Sequence, residues 1–190
     1  MTMSKKEHKP LSQAQLEKGI EELPPYILEA IKDRTDQIPV YVLEDLVLRR
    51  PLPRRIMLKY GIPFNQHQKR QLALEALYQH KLLDKDIRKT LFDVMMGTND
   101  IDGFLYDLTV GTAEHEEEYR DMIRPLLRED WDLERLGLLD QVILEMGCQE
   151  ILNMDTPRSV AINEAVQLAK EYCDDSTPQM VNGILDRIGK

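Results

Sequence analysis

Cysteine is nearly absent: Cys148 and Cys173 are the two in 190 residues, and they lack CxxC spacing. That excludes a disulfide-stapled scaffold and a cysteine metal site. Both read as small buried hydrophobes on helical faces, in a reducing cytosol. Glycine is scattered, with Gly61, Gly97, Gly103 and Gly111 each standing alone, so no phosphate-cradling loop is present. The histidines His8, His67, His80 and His115 pair with no other histidine or cysteine at metal-ligand spacing. No apolar run approaches the length of a membrane span, and no signal peptide precedes a cleavage site. Sustained apolar–polar alternation is missing too, which argues against strands. Nothing sets a nucleophile beside a base, so neither catalysis nor a cofactor is expected.

Hydrophobic residues make up 42% of the chain, enough for a core, and charged residues 31%. The length suits one domain, or one domain with an appendage. Charge is unevenly spread. Residues 1–63 carry 11 Lys/Arg and 9 Asp/Glu, whereas residues 64–190 carry 14 and 25. The second part therefore attracts phosphates weakly as a whole, and any nucleic-acid binding there needs a local basic patch.

Residues 1–10 are polar and lysine-rich and read as a disordered start. Short proline-punctuated helices follow. One is capped by Ser12, one opens at Pro24–Pro25, one opens at Pro39 and runs from Val40 to Leu48, and one runs from Ile56 to Tyr60. The densest basic cluster, Arg49, Arg50, Arg54, Arg55 and Lys59, lies here. It is either an ordinary solvated connector or a set of phosphate contacts. Residues 1–63 thus form an N-terminal helical extension, and residues 64–190 the main domain.

In the main domain Asn65 caps a first helix and Asp84 a second, with Asp86 also at its start. Three–four spacing of apolar residues from Ile101 to Leu126 predicts one long third helix, with His115 on its apolar stripe. The acidic cluster Glu114–Glu118 fits a solvated helix face far better than acid–base or metal work. Trp131 falls in the following loop, and a fourth helix runs from Leu136 to about Leu152. The chain ends in two amphipathic helices. Thr156 and Pro157 open one; Asp174 to Pro178 break it and start the other. Asn163 and Asn182 sit among apolar residues there and are expected to bond across the pair. The fold class is all-α.

The wording of that closing pair is specific. Val160-Ala-Ile-Asn-Glu-Ala-Val-Gln-Leu-Ala-Lys170, then Val181-Asn-Gly-Ile-Leu-Asp186, resembles the NusB family of bacterial transcription antitermination factors. Trp131 to Leu136, Ile143 to Met146 and Ala73 to Gln79 support the resemblance, which spans residues 65–188. It implies two small antiparallel helical bundles packed side by side, on a cytoplasmic, non-catalytic protein. It also implies binding of single-stranded boxA-type leader RNA together with a small-subunit ribosomal protein acting as NusE. The RNA polymerase elongation complex would then be supported through rRNA operons.

Carried over position by position, the RNA segment is Gln66, His67, Gln68, Lys69 and Arg70, joined by Tyr78 and by Met180 where the family tends to carry an aromatic. Two of those first five are firmly cationic, so the basic cluster upstream would supply the missing phosphate contacts. The partner face is implied around Glu134, Asp140 and Glu145, an acidic surface suited to a basic ribosomal protein. Two other roles fit the resemblance. One is a protein-interaction regulator on the same fold with RNA binding largely lost. The other is an accessory to an rRNA cytosine methyltransferase, which would need a separate catalytic subunit.

Overall fold

In the computed structural model, which describes residues 9–190, every regular element among the described residues is helical. The reading of residues 1–10 as a disordered start falls, for residues 1–8, outside the described residues. Two compact units divide the chain, Met1–Phe64 and Asn65–Lys190.

The first unit begins with α1 (Gln13–Glu21). The Ser12 hydroxyl accepts from the Gln15 N–H while the Gln15 side chain accepts from the Ser12 N–H, so each end closes the other. Pro24, Pro39 and Pro53 stand at the N-caps of α2 (Pro25–Ile31), α3 (Val40–Val47) and α4 (Arg54–Tyr60). A residue with no N–H to satisfy and a fixed φ suits the start of a helix. Leu23, Ile31, Val42, Leu43, Met57 and Ile62 form the core of this unit. Arg34 ties the end of α2 to the end of α4, donating from Nε to Ala30 O at 2.9 Å and from Nη2 to Gly61 O at 2.9 Å. Gly61 has φ +60°, and a Cβ there would lie 2.5 Å from Arg34 Nη2, so a side chain would strain the backbone and displace the Arg34 guanidinium.

The second unit contains α5 (Gln66–Leu83), α6 (Ile87–Val94), α7 (Gly103–Glu114), α8 (Glu116–Ile123), α9 (Leu138–Asn153), α10 (Arg158–Tyr172) and α11 (Thr177–Leu185). α5 packs on α6 and α7, while α10 and α11 pack on each other and on α9. α9 also meets α5, α7 and α8, so it is the helix common to both groups.

Three expectations need correction. The predicted single helix over 101–126 is two, broken at His115, whose backbone has φ −104° and ψ 15°. Glu116, Glu117 and Glu118 occupy the first turn of α8, where carboxylates face the positive end of the helix dipole. The acidic cluster therefore marks a helix start. Asp84 does not cap α6; it ends α5 in the left-handed region at φ +50°, and Asp86 caps α6 through Lys89 N–H at 3.0 Å. Asn163 and Asn182 are both exposed and do not tie α10 to α11. The buried faces run through Ala161, Ile162, Ala165, Leu168 and Ala169, and through Val181, Ile184 and Leu185, leaving both amides on the outer side.

Every residue of α9 from Gln141 to Glu150 is buried. A helix enclosed on all sides must satisfy each polar group it carries. Gln141, Glu145 and Gln149 recur every fourth residue and so share one stripe. Gln141 accepts from Arg120 Nη1 at 2.9 Å and donates to Leu136 O at 2.8 Å. Glu145 takes Lys81 Nζ at 2.7 Å and Arg120 Nη1 at 3.0 Å. Gln149 accepts from the Tyr119 hydroxyl and donates to Asp107 O at 3.0 Å. A Cβ at Gly111 would come within 2.1 Å of Gln149 Nε2, so α7 approaches α9 over a glycine.

Burial pushes the Tyr119 phenol up to about 12 and the Cys148 thiol up to about 12. In the unfolded chain these groups ionise at roughly 10 and roughly 8.5. Between those values and about 12 the unfolded state releases protons that the folded state keeps, so stability falls as pH rises. The urea midpoint should hold level up to about pH 8.5 and then decline toward pH 12. Tyr119→Phe should make the decline above about pH 10 shallower, leaving the share due to the Cys148 thiol. A midpoint that stays level to pH 12 would contradict this assignment.

Candidate nucleic-acid and partner interface

The first turn of α5 is built by Asn65 and Gln68. The Asn65 side chain accepts from the Gln68 N–H at 2.7 Å, and the Gln68 side chain accepts from the Asn65 N–H at 2.8 Å. Gln68 is thereby committed to the helix start. His67 lies between two carboxylates of α10, with Nδ1 2.9 Å from Glu164 Oε2 and Nε2 2.8 Å from Glu171 Oε1. Gln71 Nε2 adds a bond to Glu171 at 3.0 Å. Lys69 Nζ sits 3.2 Å from Asp102 on the way into α7.

Arg70 is 4% exposed and Glu150 3%. The Arg70 fork grips the Glu150 carboxylate from Nε, at 3.0 and 3.1 Å, and from Nη2. Its Nη1 lies 3.6 Å from Glu164, and its guanidinium stands 5.1 Å from the Phe104 ring centre. Gln66 is exposed beside a cavity of about 420 Å³ lined also by Arg70, Phe104 and Asn153. Each cation of the turn thus already has a carboxylate, and a phosphate must compete for it. Tyr78 is half-buried farther along α5.

Met180 belongs to another place. It lines a groove of about 360 Å³ between α11 and the segment joining α8 to α9, where Trp131 also lies; no α5 residue lines it. In the first unit Arg49 is exposed with φ +53°, and Arg55 and Lys59 are exposed. Arg50 pairs with Asp45 at 3.2 Å, and Arg54 is half-buried with a partner of its own. Arg49, Arg55 and Lys59 make no ion pair among the described residues; Lys59 lies 5.3 Å from the Tyr60 ring centre.

The residues named for the partner face separate in the same way. Glu134 is exposed and receives Arg124 at 2.9 Å and Arg120 at 3.0 Å. Hydrogen bonding at Asp132, then Arg124 and Arg120, holds its carboxyl down at about 2. Asp140 is half-buried and, after burial itself, is the neighbour that pushes the Cys173 thiol up to about 12. Glu145 is 0% exposed and faces Lys81 and Arg120, so it contributes nothing to an outer face. Its place on the buried stripe of α9 is the reason. Asp121, Arg124, Glu134, Arg120, Glu145, Lys81 and Glu116 form a continuous run of alternating charge from the surface through the core and out again.

Periodicity gives no sign of the carboxylates Glu150, Glu164 and Glu171, because a charged helical position reads by default as solvated. Arg128 and Arg187 beside Trp131 likewise escape a reading by pattern; an arginine three residues after Ile184 is the available hint. Among the described residues no group of three or more His, Cys, Asp or Glu could hold a metal ion, and no helix is long and apolar enough to cross a membrane.

Comparison with known proteins is consistent with this all-helical arrangement. A curated transcription antitermination protein NusB from a Nitratiruptor species is 36% identical over 128 residues, covering 66% of this chain and 91% of its own. The solved structure of T. maritima NusB is similar at TM-score 0.59 and 30% identity, over 66% of this chain and 91% of that one. A crystal structure of antitermination factors NusB and NusE in complex with dsRNA shares the fold, at TM-score 0.55 and 22% identity, over 65% and 96%. The NusB family model matches residues 67–190, and on that match this chain belongs to the NusB family.

Proposed function

We propose that the chain is a cytoplasmic, non-catalytic antitermination factor. It binds single-stranded boxA-type leader RNA together with a small-subunit ribosomal protein, NusE, and so keeps RNA polymerase elongating through rRNA operons. The observation that carries this reading is the family match over nearly all of the second unit. A solved structure that shares the fold is of NusB and NusE in complex with dsRNA, which supports a two-partner role. Two modest sites on one body reinforce each other through effective concentration, so neither need be tight alone. Glu134 and Asp140 are the acidic residues left to meet a basic partner.

For RNA, the phosphate contacts fall to Arg49, Arg55 and Lys59, whose charge is not spent on carboxylates among the described residues. Replacing all three by glutamine in the full chain tests this against boxA-type RNA over a salt series. Each lost contact should lower the slope of log affinity against log salt by about 0.7, so a drop near 2 is expected. An unchanged slope would remove the extension from the account.

A second reading has its own support. The paired state of His67, Lys69 and Arg70 fits a protein-interaction regulator with RNA binding largely lost. Binding to the ribosomal protein with no RNA retention, with or without that partner, would establish it in place of the first.

A further inference from the structure

The large apolar side chains left exposed in the second unit gather between residues 82 and 106. They are Leu82, Leu83, Phe92, Met96 and Tyr106, against Val160 and Tyr172 on α10. α6 buries Ile87, Thr90, Leu91 and Val94, so Lys89, Phe92 and Asp93 lie on its opposite side. Met96 follows, exposed, at the end of that side. Its N–H donates to Asp93 O at 2.9 Å and the Gly97 N–H to Phe92 O at 2.9 Å, a paired closure of the helix. The closure holds Met96 in the left-handed region at φ +56°, where glycine would fit at less cost. Arg88 fixes Tyr106 at the edge of this face, donating from Nε to its hydroxyl at 3.2 Å and from Nη2 to Glu114 at 2.6 Å. Lys89 and Asp93, one turn apart, flank Phe92. Both are exposed, and neither makes an ion pair among the described residues.

A face with one unpaired charge of each sign around an exposed ring is complementary to itself. Lys89 and Asp93 each stand two residues from Leu91. A two-fold axis near Leu91, with α6 antiparallel to its mate, sets each Lys89 against the other copy's Asp93. The two Phe92 rings then cover each other's surroundings, and Met96 and Tyr106 extend the contact. We propose that this face of α6 is where two copies of the chain pair. A partner carrying charge of a single sign would satisfy one of the two residues and repel the other. α6 has eight residues and is about 12 Å long, so the contact is small and the pairing weak and reversible. The inference is independent of the RNA and NusE readings, because no residue named for either lies on α6.

Sedimentation of the full chain from about 1 to about 500 µM, in about 50 mM salt, should show a monomer–dimer equilibrium. Phe92→Ser should weaken pairing about 10-fold or more, with the helical circular dichroism unchanged because the ring is at the surface. Lys89→Glu alone and Asp93→Lys alone each oppose like charges across the axis, and each should weaken pairing about 10-fold. Mixed in equal amounts, these two variants place opposite charges together at both positions. The mixture should associate about as well as the parent.

A parent that sediments as a monomer throughout overturns the proposal. So does a dimer unaffected by Phe92→Ser and by both charge variants, which would put the pairing on another face. Charge variants that stay apart when mixed overturn the two-fold arrangement.

Discussion

Replacing Arg70 by glutamine is expected to cost about 3–5 kcal/mol of folding stability, measured by urea unfolding followed through helical circular dichroism. The loss comes from the carboxylate left behind more than from the arginine removed. Glu150 is 3% exposed, and Arg70 is the cation that grips it, through both edges of the fork. Without that partner an ionised carboxylate would be stranded beneath the surface, where unpaired charge is strongly disfavoured. Arg70→Lys should recover only part of the loss, because a single ammonium cannot reproduce two parallel bonds or the stacking over Phe104. A drop below about 1 kcal/mol would show that water reaches the Glu150 carboxylate once the guanidinium is gone. The result also bears on function. Any fall in RNA binding by an Arg70 variant must be corrected for the unfolded fraction before it is credited to contact.

Tyr119→Ala should cost a similar amount, about 3–5 kcal/mol, and should shift the thermal midpoint by roughly 10 °C or more in a domain of this size. Tyr119 is 0% exposed and is among the largest side chains wholly enclosed. Removing its ring opens a cavity between α8 and α9 that helices anchored on both sides cannot close. Its hydroxyl accepts from Asn153 Nδ2 at 2.6 Å and donates to Gln149, which in turn holds Asp107 O. Tyr119→Phe separates the two effects: it keeps the packing, deprives Asn153 and Gln149 of a partner, and should cost about 1–3 kcal/mol. Equal losses in the two variants would assign the whole effect to the hydrogen bonds.

The helical character and the family are readable from residue patterns, and the reasons are local. Proline at three helix starts, reciprocal caps at Ser12 and Asn65, and small residues along α10 all act within a few positions of the chain. What escapes such a reading are decisions made between distant segments. Arg70 and Glu150 are 80 positions apart, and Lys81 and Glu145 are 64 apart. Nothing in either helix alone says that the charges will be buried together, so the family resemblance carries Arg70 over to RNA and Glu145 to a partner face. The glutamate run before Tyr119 misleads for the opposite reason: its meaning is local, a first helical turn, but the apolar spacing across it conceals the break. Asn163 and Asn182 mislead by register, since a broad apolar stripe leaves room for a polar residue at its outer edge.

Asn65 and Gln68 satisfy each other across the first turn of α5, so that helix begins without borrowing a group from whatever comes before it. A self-closing start of this kind makes a tolerant graft point.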